Sequence, residues 1–443
     1  MAGRSPSTSC REGAAPKILS RMRTRLSLEA ALAVLLLTAT APALEPPTFS
    51  NEVVRILQAR CQTCHRTGEH APFPLLAYRD AFDKKDDIRD AIKGRVMPPW
   101  KPVPGFGDFL DSRRLPDGEL ATLVQWIEAG APEGDRAKLP APRVFPEGWK
   151  LGPPDHVLEM PESYTVPARA SDVYRCFVIR TNFDEDRWVT KVEYAPGERK
   201  VVHHVLAYID TTEAAERLDR ADPGPGYTCF GGPGFAPAGG LSGWAPGNEP
   251  RQVAEGVGML LPKGAKVVLQ MHYNNDATEA RTDRTRVALH FAKGPIDKRQ
   301  RGIAVLNQTF TIPAGERSYE VRASWTNPFN RDLHATTITP HMHLLGRAMK
   351  VTATYPDGTV RPLIHIDDWD FNWQSTYTFA QPIALPAGTR IDMVATFDNS
   401  ADNVRQPSHP PRPVSWGEGT SDEMAIVFLG VTLDSERIGW RPH

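Results

Sequence analysis

The chain has 443 residues, with 52 Lys and Arg against 53 Asp and Glu, so its formal net charge is −1. This length predicts two or three domains, and a hydrophobic content of 40% is sufficient for buried cores. The balanced charge argues against a nucleic-acid-binding protein and against an acidic tail. The 41 prolines and 34 glycines favour short strands and turns over long helices.

The N-terminus has the pattern of a secretory signal peptide, which we predict over residues 1–43. Basic residues precede the apolar run 30–39, and Ala41-Pro42-Ala43 then offers a small-x-small cleavage site. The basic residues are Arg21, Arg23 and Arg25. The apolar run is short for a membrane span, although an uncleaved anchor is the alternative, and either Met1 or Met22 could be the start. We therefore expect a periplasmic or secreted protein with no stable membrane span after cleavage.

Cys61-Gln62-Thr63-Cys64-His65 is a C-x-x-C-H sequence, which attaches haem covalently. Two thiols reach the two vinyl groups of one haem, and the following histidine supplies an imidazole to the iron. The alternative is a zinc-binding or redox C-x-x-C pair, which needs neither the histidine nor export. The motif predicts one covalently bound haem c.

Helical patterns flank the haem motif. Ser50 can cap a helix whose apolar residues Val53, Ile56 and Leu57 lead into Cys61. A second helix is predicted over residues 117–129, followed by a Gly and a Pro that end it. Helix, haem motif, loop and closing helix is the order of a small cytochrome c, and this resemblance covers residues 48–135.

The sixth ligand of the haem iron is predicted between those helices. Met97, in Arg95-Val96-Met97-Pro98-Pro99-Trp100, resembles the methionine of cytochrome c domains. A thioether opposite histidine raises the reduction potential. The alternatives are His70 or no sixth ligand. A haem filled on both sides transfers electrons, so we expect an electron acceptor elsewhere in the chain.

A proline-rich linker is predicted over residues 136–149, and the pattern changes beyond it. Short alternating runs lie between Gly/Pro turns and predict an all-β, sandwich-like architecture. The clearest runs are 200–208, 265–273, 348–355 and 390–397. Residues 222–250 form a long loop rich in Gly, Pro and aromatic residues, which is unusual enough to suggest a role.

The first group of histidines in this β region is His203-His204, with His272 about seventy residues later. Successive side chains of a strand point to opposite faces, so His203 and His204 can bind one metal only if the strand bends or bulges there. Gln270 and His272 share a face, whereas Met271 turns inward. The alternative is a set of buried histidines hydrogen-bonded to the backbone.

The second group is His341-Met342-His343, followed by Met424. His341 and His343 can share one strand face and chelate one ion, whereas Met342 points away. A lone methionine such as Met424 usually belongs to a core. Three histidine clusters in a chain with 13 histidines nevertheless favour metal binding over buried histidines.

Several segments occur in the order found in one enzyme family. They are Asp172-Val173-Tyr174-Arg175-Cys176, His203-His204, Gln270-Met271-His272-Tyr273, His341-Met342-His343-Leu344-Leu345-Gly346-Arg347 and Gly419-Thr420-Ser421-Asp422-Glu423-Met424. Through them, residues 150–435 resemble the copper type II, ascorbate-dependent monooxygenases, the family of dopamine β-monooxygenase and peptidylglycine α-hydroxylating monooxygenase. The resemblance implies two all-β sandwich (jelly-roll-like) copper domains, which we expect at residues 150–300 and 301–435.

The resemblance also implies two copper ions with different ligands. The electron-transfer copper would be held by His203, His204 and His272, with Gln270 in the cleft. The oxygen-activating copper would be held by a second set, His341, His343 and Met424. Thioether sulfur suits Cu(I), and imidazole suits both oxidation states.

The activity implied is hydroxylation of a C–H bond of a small organic substrate by O₂, with electrons supplied through the fused haem from an external donor. One alternative is a non-enzymatic copper-binding or copper-handling protein with an electron-transfer cytochrome. Another is a structural or docking protein with a degenerate fold.

Cys10 lies within the predicted signal peptide, so two further cysteines of the mature protein remain beyond the haem motif, Cys176 and Cys229. Export would let them pair as a disulfide, and two unrelated buried thiols are the alternative. Cys176 also matches a disulfide cysteine of the family, so the resemblance implies this pairing.

The chain differs from the family at the positions with which the peptide-hydroxylating branch binds the carboxylate of its substrate. Thr339 replaces an arginine, and Ile426 and Phe428 replace an asparagine and a tyrosine. We therefore expect a less charged, more apolar substrate. His365 and Trp373 could line the cleft or lie on the surface. Four other histidines have no partner evident in the sequence: His156, His290, His334 and His409.

Overall fold

The structure is a computed structural model that describes residues 45–69 and 71–442. The predicted signal peptide and the alternative iron ligand His70 lie outside the described residues. The described chain is mostly β-structure with few helices, as the sequence predicts. Within these residues no helix has the length and apolar character needed to cross a bilayer.

A helical region comes first. It contains a π-helical turn Phe49–Val53, the helices α1 Val54–Arg60, α2 Tyr78–Asp83, α3 Lys85–Lys93 and α4 Asp117–Glu128, and a 3-10 turn Arg136–Lys138. Buried Leu57, Leu123 and Trp126 form its core. The indole of Trp126 donates to the carbonyl of Pro132 at 3.0 Å and holds the chain that leaves α4.

Two details of the helical prediction differ from the structure. The predicted cap Ser50 is wrong, because the first helical turn begins at Phe49 and the buried Ser50 hydroxyl has no hydrogen-bond partner. The carboxylate of Glu52 instead accepts from the amide of Thr48 at 2.8 Å. Helices α2 and α3 occupy a segment for which the sequence analysis predicted no helix. The closing helix α4 agrees with its prediction to one residue.

The predicted linker packs on the helical region. Gln58 of α1 donates to the carbonyl of Ala141 at 2.9 Å, and Arg143 donates to the carbonyl of Gln58 at 2.7 Å. These hydrogen bonds fix the path of the chain from the helices to the first sheet.

The first β region carries thirteen strands and one helix. They are β1 His156–Glu159, β2 Tyr164–Val166, β3 Ala170–Arg180, β4 Arg187–Ala195, β5 Val202–Asp210, α5 Ala214–Ala221, β6 Tyr227–Thr228, β7 Gly239–Trp244, β8 Arg251–Gln252, β9 Val257–Leu261, β10 Lys266–Asn275, β11 Arg281–Asp283, β12 Arg286–Phe291 and β13 Lys298–Arg299. One sheet has the order β1-β12-β4-β9-β13 with β8 beside β4, and the other has the order β6-β3-β10-β5-β7. Val192, Ile209 and Leu269 belong to the hydrophobic core that the two sheets share.

The second β region carries ten strands. They are β14 Arg301–Asn307, β15 Thr311–Ile312, β16 Tyr319–Thr326, β17 Leu333–His341, β18 Gly346–Thr354, β19 Val360–Ile366, β20 Tyr377–Leu385, β21 Arg390–Phe397, β22 Val414–Ser415 and β23 Ala425–Leu433. Two four-stranded sheets, β14-β23-β17-β20 and β16-β21-β18-β19, enclose a second core that includes Ile338, Val351 and Met393.

The long loop 222–250 contains the short strands β6 and β7 and is attached to β3. A disulfide joins Cys176 and Cys229 with their Cα atoms 5.8 Å apart, which is the pairing that the resemblance implies. An ion pair adjoins it, since Arg175 lies 3.0 Å from Asp222. Both contacts hold the loop against the sheet that carries His203 and His204.

Candidate metal centres

The first histidine set lies on two neighbouring strands, β5 and β10. His272 pairs with His204 across these strands, but the next pair is Tyr273 with Val202. His203 is therefore an extra residue on β5, and the predicted bulge at this pair is present. A bulge re-aims one side chain, which lets both adjacent histidines turn to the same side.

Three ring nitrogens converge in this set. The Nδ1 atom of His204 lies 3.4 Å from Nδ1 of His203 and 3.4 Å from Nδ1 of His272. The ligand atoms of the three residues all lie within 4.8 Å of one another, which is compact enough for one ion. Three imidazoles and an open position are a donor set that suits copper or zinc.

Asp172 orients the third histidine of this set. Nε2 of His272 donates to Oδ1 of Asp172 at 2.9 Å, so Nδ1 carries the lone pair that faces the other rings. Burial raises the pKa of Asp172, but hydrogen bonds from His272 and Thr420 outweigh it and lower the pKa to about 2. A carboxylate behind a histidine ligand fixes its tautomer and increases its basicity.

The same carboxylate reaches the second β region. Thr420 donates to Asp172 from its hydroxyl at 2.6 Å and from its amide at 3.2 Å. Tyr174 stacks on His272 with ring centroids 4.2 Å apart, and its hydroxyl donates to the carbonyl of Glu418 at 2.9 Å. The loop before Met424 is thereby tied to the first histidine set.

The second histidine set begins at the end of β17. His341 is the last residue of the strand, and Met342 is fully buried in the core, as the alternation predicts. Nδ1 of His341 donates to Oε1 of Gln374 at 2.6 Å, and Nδ1 of His343 donates to the carbonyl of Asp422 at 3.1 Å. Both residues therefore keep Nε2 as the free ligand atom.

The buried side chain of Glu423 links the backbone of Met424 to that of His343. Glu423 is fully buried, and one of its oxygens accepts from the amides of His343 at 2.9 Å and Met424 at 3.2 Å. Its other oxygen accepts from the amide of Leu345 at 2.6 Å. Burial raises the pKa of Glu423 to about 8. The backbones of the predicted ligands His343 and Met424 thus meet at one side chain.

Burial favours the neutral form of four histidines in the two sets, His203, His204, His341 and His343. It lowers the pKa of His203 and of His341 to about 3 and that of His343 to about 4. The pKa of His204 is also well below its usual value, for the same reason. Neutral imidazole is the form that binds a metal ion.

One aromatic ring lies between the two sets. The ring of Phe371 stacks on that of His203 with centroids 4.9 Å apart, and it lies edge-on to the ring of His343 with centroids 5.8 Å apart. The carbonyl of Phe371 accepts from Gln374 at 2.9 Å, the residue that orients His341. Sequence reasoning missed Phe371 and Gln374, because neither is a ligand type and both lie in a loop.

The predicted haem motif directly follows helix α1. Cys61 and Cys64 are both free thiols. Nδ1 of His65 donates to the carbonyl of Phe73 at 3.1 Å, which leaves Nε2 for an iron ion. Met97 follows α3 and is partly exposed, with its amide bonded to the carbonyl of Ala91 at 3.2 Å. Its role as the sixth ligand stays a prediction.

Three side chains named from the sequence have other surroundings. Gln270 is 3% exposed, and its amide donates to the carbonyl of Cys229 at 2.8 Å, so it supports the disulfide loop rather than lining an open cleft. His365 packs against Phe106 with ring centroids 5.0 Å apart. Trp373 lies over Gly247, where an added Cβ would come within 2.5 Å of its ring.

Two of the four histidines without a predicted partner have one in the structure. His334 lies 2.6 Å from Asp434, and His156 contacts the ring of Phe183 at 4.9 Å. These contacts are ordinary packing and hydrogen bonding.

No family model matches the chain, and no curated protein matches it. Solved structures that align with it include the major capsid protein of bacteriophage PM2, at 12% identity and a TM-score of 0.26, covering 64% of this chain and 99% of that chain. Infectious bursal disease virus, Gx strain, aligns at 10% identity and a TM-score of 0.19, covering 65% and 73%. The PBSX exported protein XepA aligns at 8% identity and a TM-score of 0.17, covering 55% and 86%. These scores lie far below 0.5, so the likenesses carry no argument.

Proposed function

We propose that this chain is an exported two-copper monooxygenase that hydroxylates a C–H bond of an organic substrate, with electrons supplied through an attached c-type haem. The balanced reaction is R–H + O₂ + 2 e⁻ + 2 H⁺ → R–OH + H₂O. The observation that carries the proposal is the pair of unlike histidine sets on either side of Phe371. One set presents Nδ1 atoms and the other presents Nε2 atoms.

The first set is suited to pass electrons. His203, His204 and His272 offer three imidazoles, which serve both oxidation states of copper. Asp172 adds a nearby negative charge through His272, which favours a bound cation. Because Thr420 also bonds to Asp172, this set is mechanically linked to the loop of the second set.

The second set is suited to bind the reactive ion. His341 and His343 are oriented through their Nδ1 atoms, and Glu423 accepts from the backbone amides of both His343 and Met424. Copper held here, when bound, would supply oxygen activation and the insertion of one oxygen atom. Two imidazoles and one thioether favour Cu(I) and leave coordination positions open. Phe371 lies edge-on to His343 with ring centroids 5.8 Å apart, where its ring would limit the entry of water between the two sets.

The sheet face that carries His341 supports an apolar substrate. Ile426 lies opposite His341, and Phe428 lies opposite Thr339, in the pairing of β17 with β23. Opposite residues of paired strands share a face, so these side chains lie on one surface. Phe428 is 43% exposed, and Leu306, which pairs with Ile426, is 38% exposed. Thr339 stands where the peptide-hydroxylating branch has an arginine, and its hydroxyl bonds to the hydroxyl of Thr376 at 2.8 Å.

The haem motif supports an internal electron supply. His65 keeps Nε2 free because its Nδ1 is bonded to Phe73, which is the orientation an axial ligand needs. Glu69, four residues after His65, pairs with Arg199 at 3.3 Å. Arg199 lies three residues before Val202, the first residue of β5. A haem held here by a short tether would have a high effective concentration at the first histidine set.

Mature, haem-loaded protein tests this proposal. Copper would be added to full occupancy, and oxygen uptake and product would be measured with a panel of apolar and charged substrates. We expect incorporation of one oxygen atom into an apolar substrate, loss of that product in His343→Ala, and retention in the control His334→Ala. Two bound copper ions without any hydroxylated product would instead favour the copper-handling alternative.

A further inference from the structure

A cavity separates the haem motif from the first β region. Its lining on the haem side includes Cys64 and Glu69, and its lining on the β side includes Trp244 and Arg251. A haem attached at Cys64 would therefore have part of its edge in this cavity. The two propionate carboxylates of a haem are its charged groups, and a buried carboxylate needs a cationic partner.

Most cations near Cys64 already have partners. Arg113 donates to the carbonyl of Gly247 at 3.2 Å. Lys150 lies 3.4 Å from Glu249 and 3.9 Å from Glu69. Arg199 pairs with that same Glu69 carboxylate at 3.3 Å. These side chains hold the two walls of the cavity together.

Arg251 differs from them. It lies on β8 opposite Val192 of β4, and both residues line the cavity. The titratable group that acts on Arg251 is the phenol of Tyr194, and burial lowers the pKa of Arg251. In the part of the chain that the structure describes, no carboxylate forms an ion pair with this guanidinium. A largely buried guanidinium without a counter-ion is costly, so Arg251 favours an anionic partner. The three carboxylates of the lining have other partners: Glu249 pairs with Lys150, Glu69 pairs with Arg199, and Glu193 accepts from the amides of Lys150 and Leu151.

We propose that Arg251 binds a propionate carboxylate of the haem attached at Cys61 and Cys64, so that the first β region completes the haem site. This inference rests on the haem of the proposed function. A guanidinium suits this role because its planar fork donates two parallel hydrogen bonds to one carboxylate. A carboxylate of a dissolved small molecule has the same chemistry, and the experiment separates the two sources.

The inference places the haem edge close to the first histidine set. Trp244 lines the same cavity and pairs with Val205 across β7 and β5. Val205 directly follows His204 in the chain. A haem anchored by Arg251 would thus be separated from the histidines by little more than one strand.

The test measures the midpoint potential of the haem in copper-free, full-length protein. Arg251→Gln removes the charge, Arg251→Lys keeps it, and Lys191→Gln is the matched control. Lys191 pairs with Gln252, next to Arg251 in the same register, but does not line the cavity. Covalent haem content, read from the absorbance spectrum, checks that each variant is folded.

We expect the potential of Arg251→Gln to fall, because loss of a positive charge near the iron stabilises the ferric state. A tenfold rise in the ferric-to-ferrous ratio at a fixed applied potential corresponds to about 59 mV for one electron. Arg251→Lys and Lys191→Gln should stay near the wild-type potential. Equal potentials for Arg251→Gln and Lys191→Gln would overturn the inference.

Three further outcomes are decisive. If added acetate shifted the wild-type potential and this shift were lost in Arg251→Gln, the ligand would come from solution and the inference would be wrong. If Arg251→Gln did not fold, redox difference infrared spectra of wild type and Arg251→Lys would replace it, and unchanged propionate bands would contradict the inference. Exported protein without covalent haem would instead refute the haem part of the proposed function.

Discussion

Replacing Asp172 by asparagine should weaken copper binding at the first histidine set. The wild-type carboxylate accepts from Nε2 of His272 at 2.9 Å and from the hydroxyl of Thr420 at 2.6 Å. Its pKa of about 2 means that it is ionised at neutral pH. Asp172→Asn is nearly isosteric, so the change removes the charge and leaves the shape of the site.

The expected loss follows from the role of carboxylates behind metal-binding histidines. Removing such a partner typically lowers metal affinity about 10- to 100-fold. At about 1.4 kcal/mol for each factor of ten, this corresponds to about 1.4–2.8 kcal/mol. We expect Asp172→Asn to fall in this range, because Asp172 bonds directly to His272 and His272 is only 2% exposed.

The assay is anaerobic competition for Cu(I) against a chromophoric chelator, carried out in a His343→Ala background that disables the second set. Thr420→Val is the control, because it removes one hydrogen bond to Asp172 but keeps the carboxylate on His272. It should change affinity by less than about threefold, as a single hydrogen bond contributes about 0.5–1.5 kcal/mol and acts here only indirectly. An Asp172→Asn affinity within twofold of its parent would refute this reasoning.

Three further outcomes are expected. Phe371→Leu should increase the peroxide released per oxygen consumed, because a smaller side chain admits water between the two histidine sets. An unchanged ratio of peroxide to oxygen would argue that Phe371 does not limit the entry of water. Removing the disulfide by Cys229→Ser should lower the unfolding free energy, measured by denaturant titration, by about 2–4 kcal/mol. The reason is that the disulfide joins two residues with a sequence separation of 53 and so restricts the unfolded chain. Asp222→Asn should destabilise the protein at pH 7 by about 1 kcal/mol through loss of the Arg175 pair. Hydrogen bonding to Arg175 lowers the pKa of Asp222 in the folded protein. The stability that ionised Asp222 contributes is therefore full above its unfolded pKa of about 3.9 and declines as the pH falls below that value. The difference in unfolding free energy between Asp222→Asn and wild type should shrink at about pH 3, and a larger difference there would contradict the assignment.

Strand periodicity predicted the parts of the sites that depend on local geometry. The adjacent pair His203-His204 requires a bulge to act together, and the register shift on β5 confirms one. Met342 lies in the core between its two histidines, as alternation on a strand demands. These predictions succeed because the direction of a strand side chain depends on position along the chain alone.

The orienting partners could not be predicted in this way. Gln374 lies 33 residues from His341, and the carbonyl of Asp422 lies 79 residues from His343. Both come from loops whose paths depend on tertiary packing, and no local pattern relates them to the histidines. Asp172 belongs to the first of the segments that resemble the monooxygenase family. Its hydrogen bond to Thr420 nevertheless joins residues 248 positions apart, which no local pattern predicts.

The helical region shows a missed local signal. Ile88 and Ile92 lie four residues apart and are both buried on one face of α3, and acidic residues occupy its first turn. That spacing is typical of an amphipathic helix. The wrong cap at Ser50 has a different cause, because the structure starts the first turn one residue earlier and caps it through Glu52.

The central claim is that haem and copper form one electron path to oxygen. Mature protein would be reduced anaerobically at its haem, with and without copper, and mixed with oxygen while haem absorbance is followed. The account predicts rapid haem oxidation in the copper-loaded sample, slow oxidation without copper, and slow oxidation in copper-loaded His343→Ala. Equal, slow oxidation in all three samples would contradict it and would separate the haem from the chemistry at the histidines.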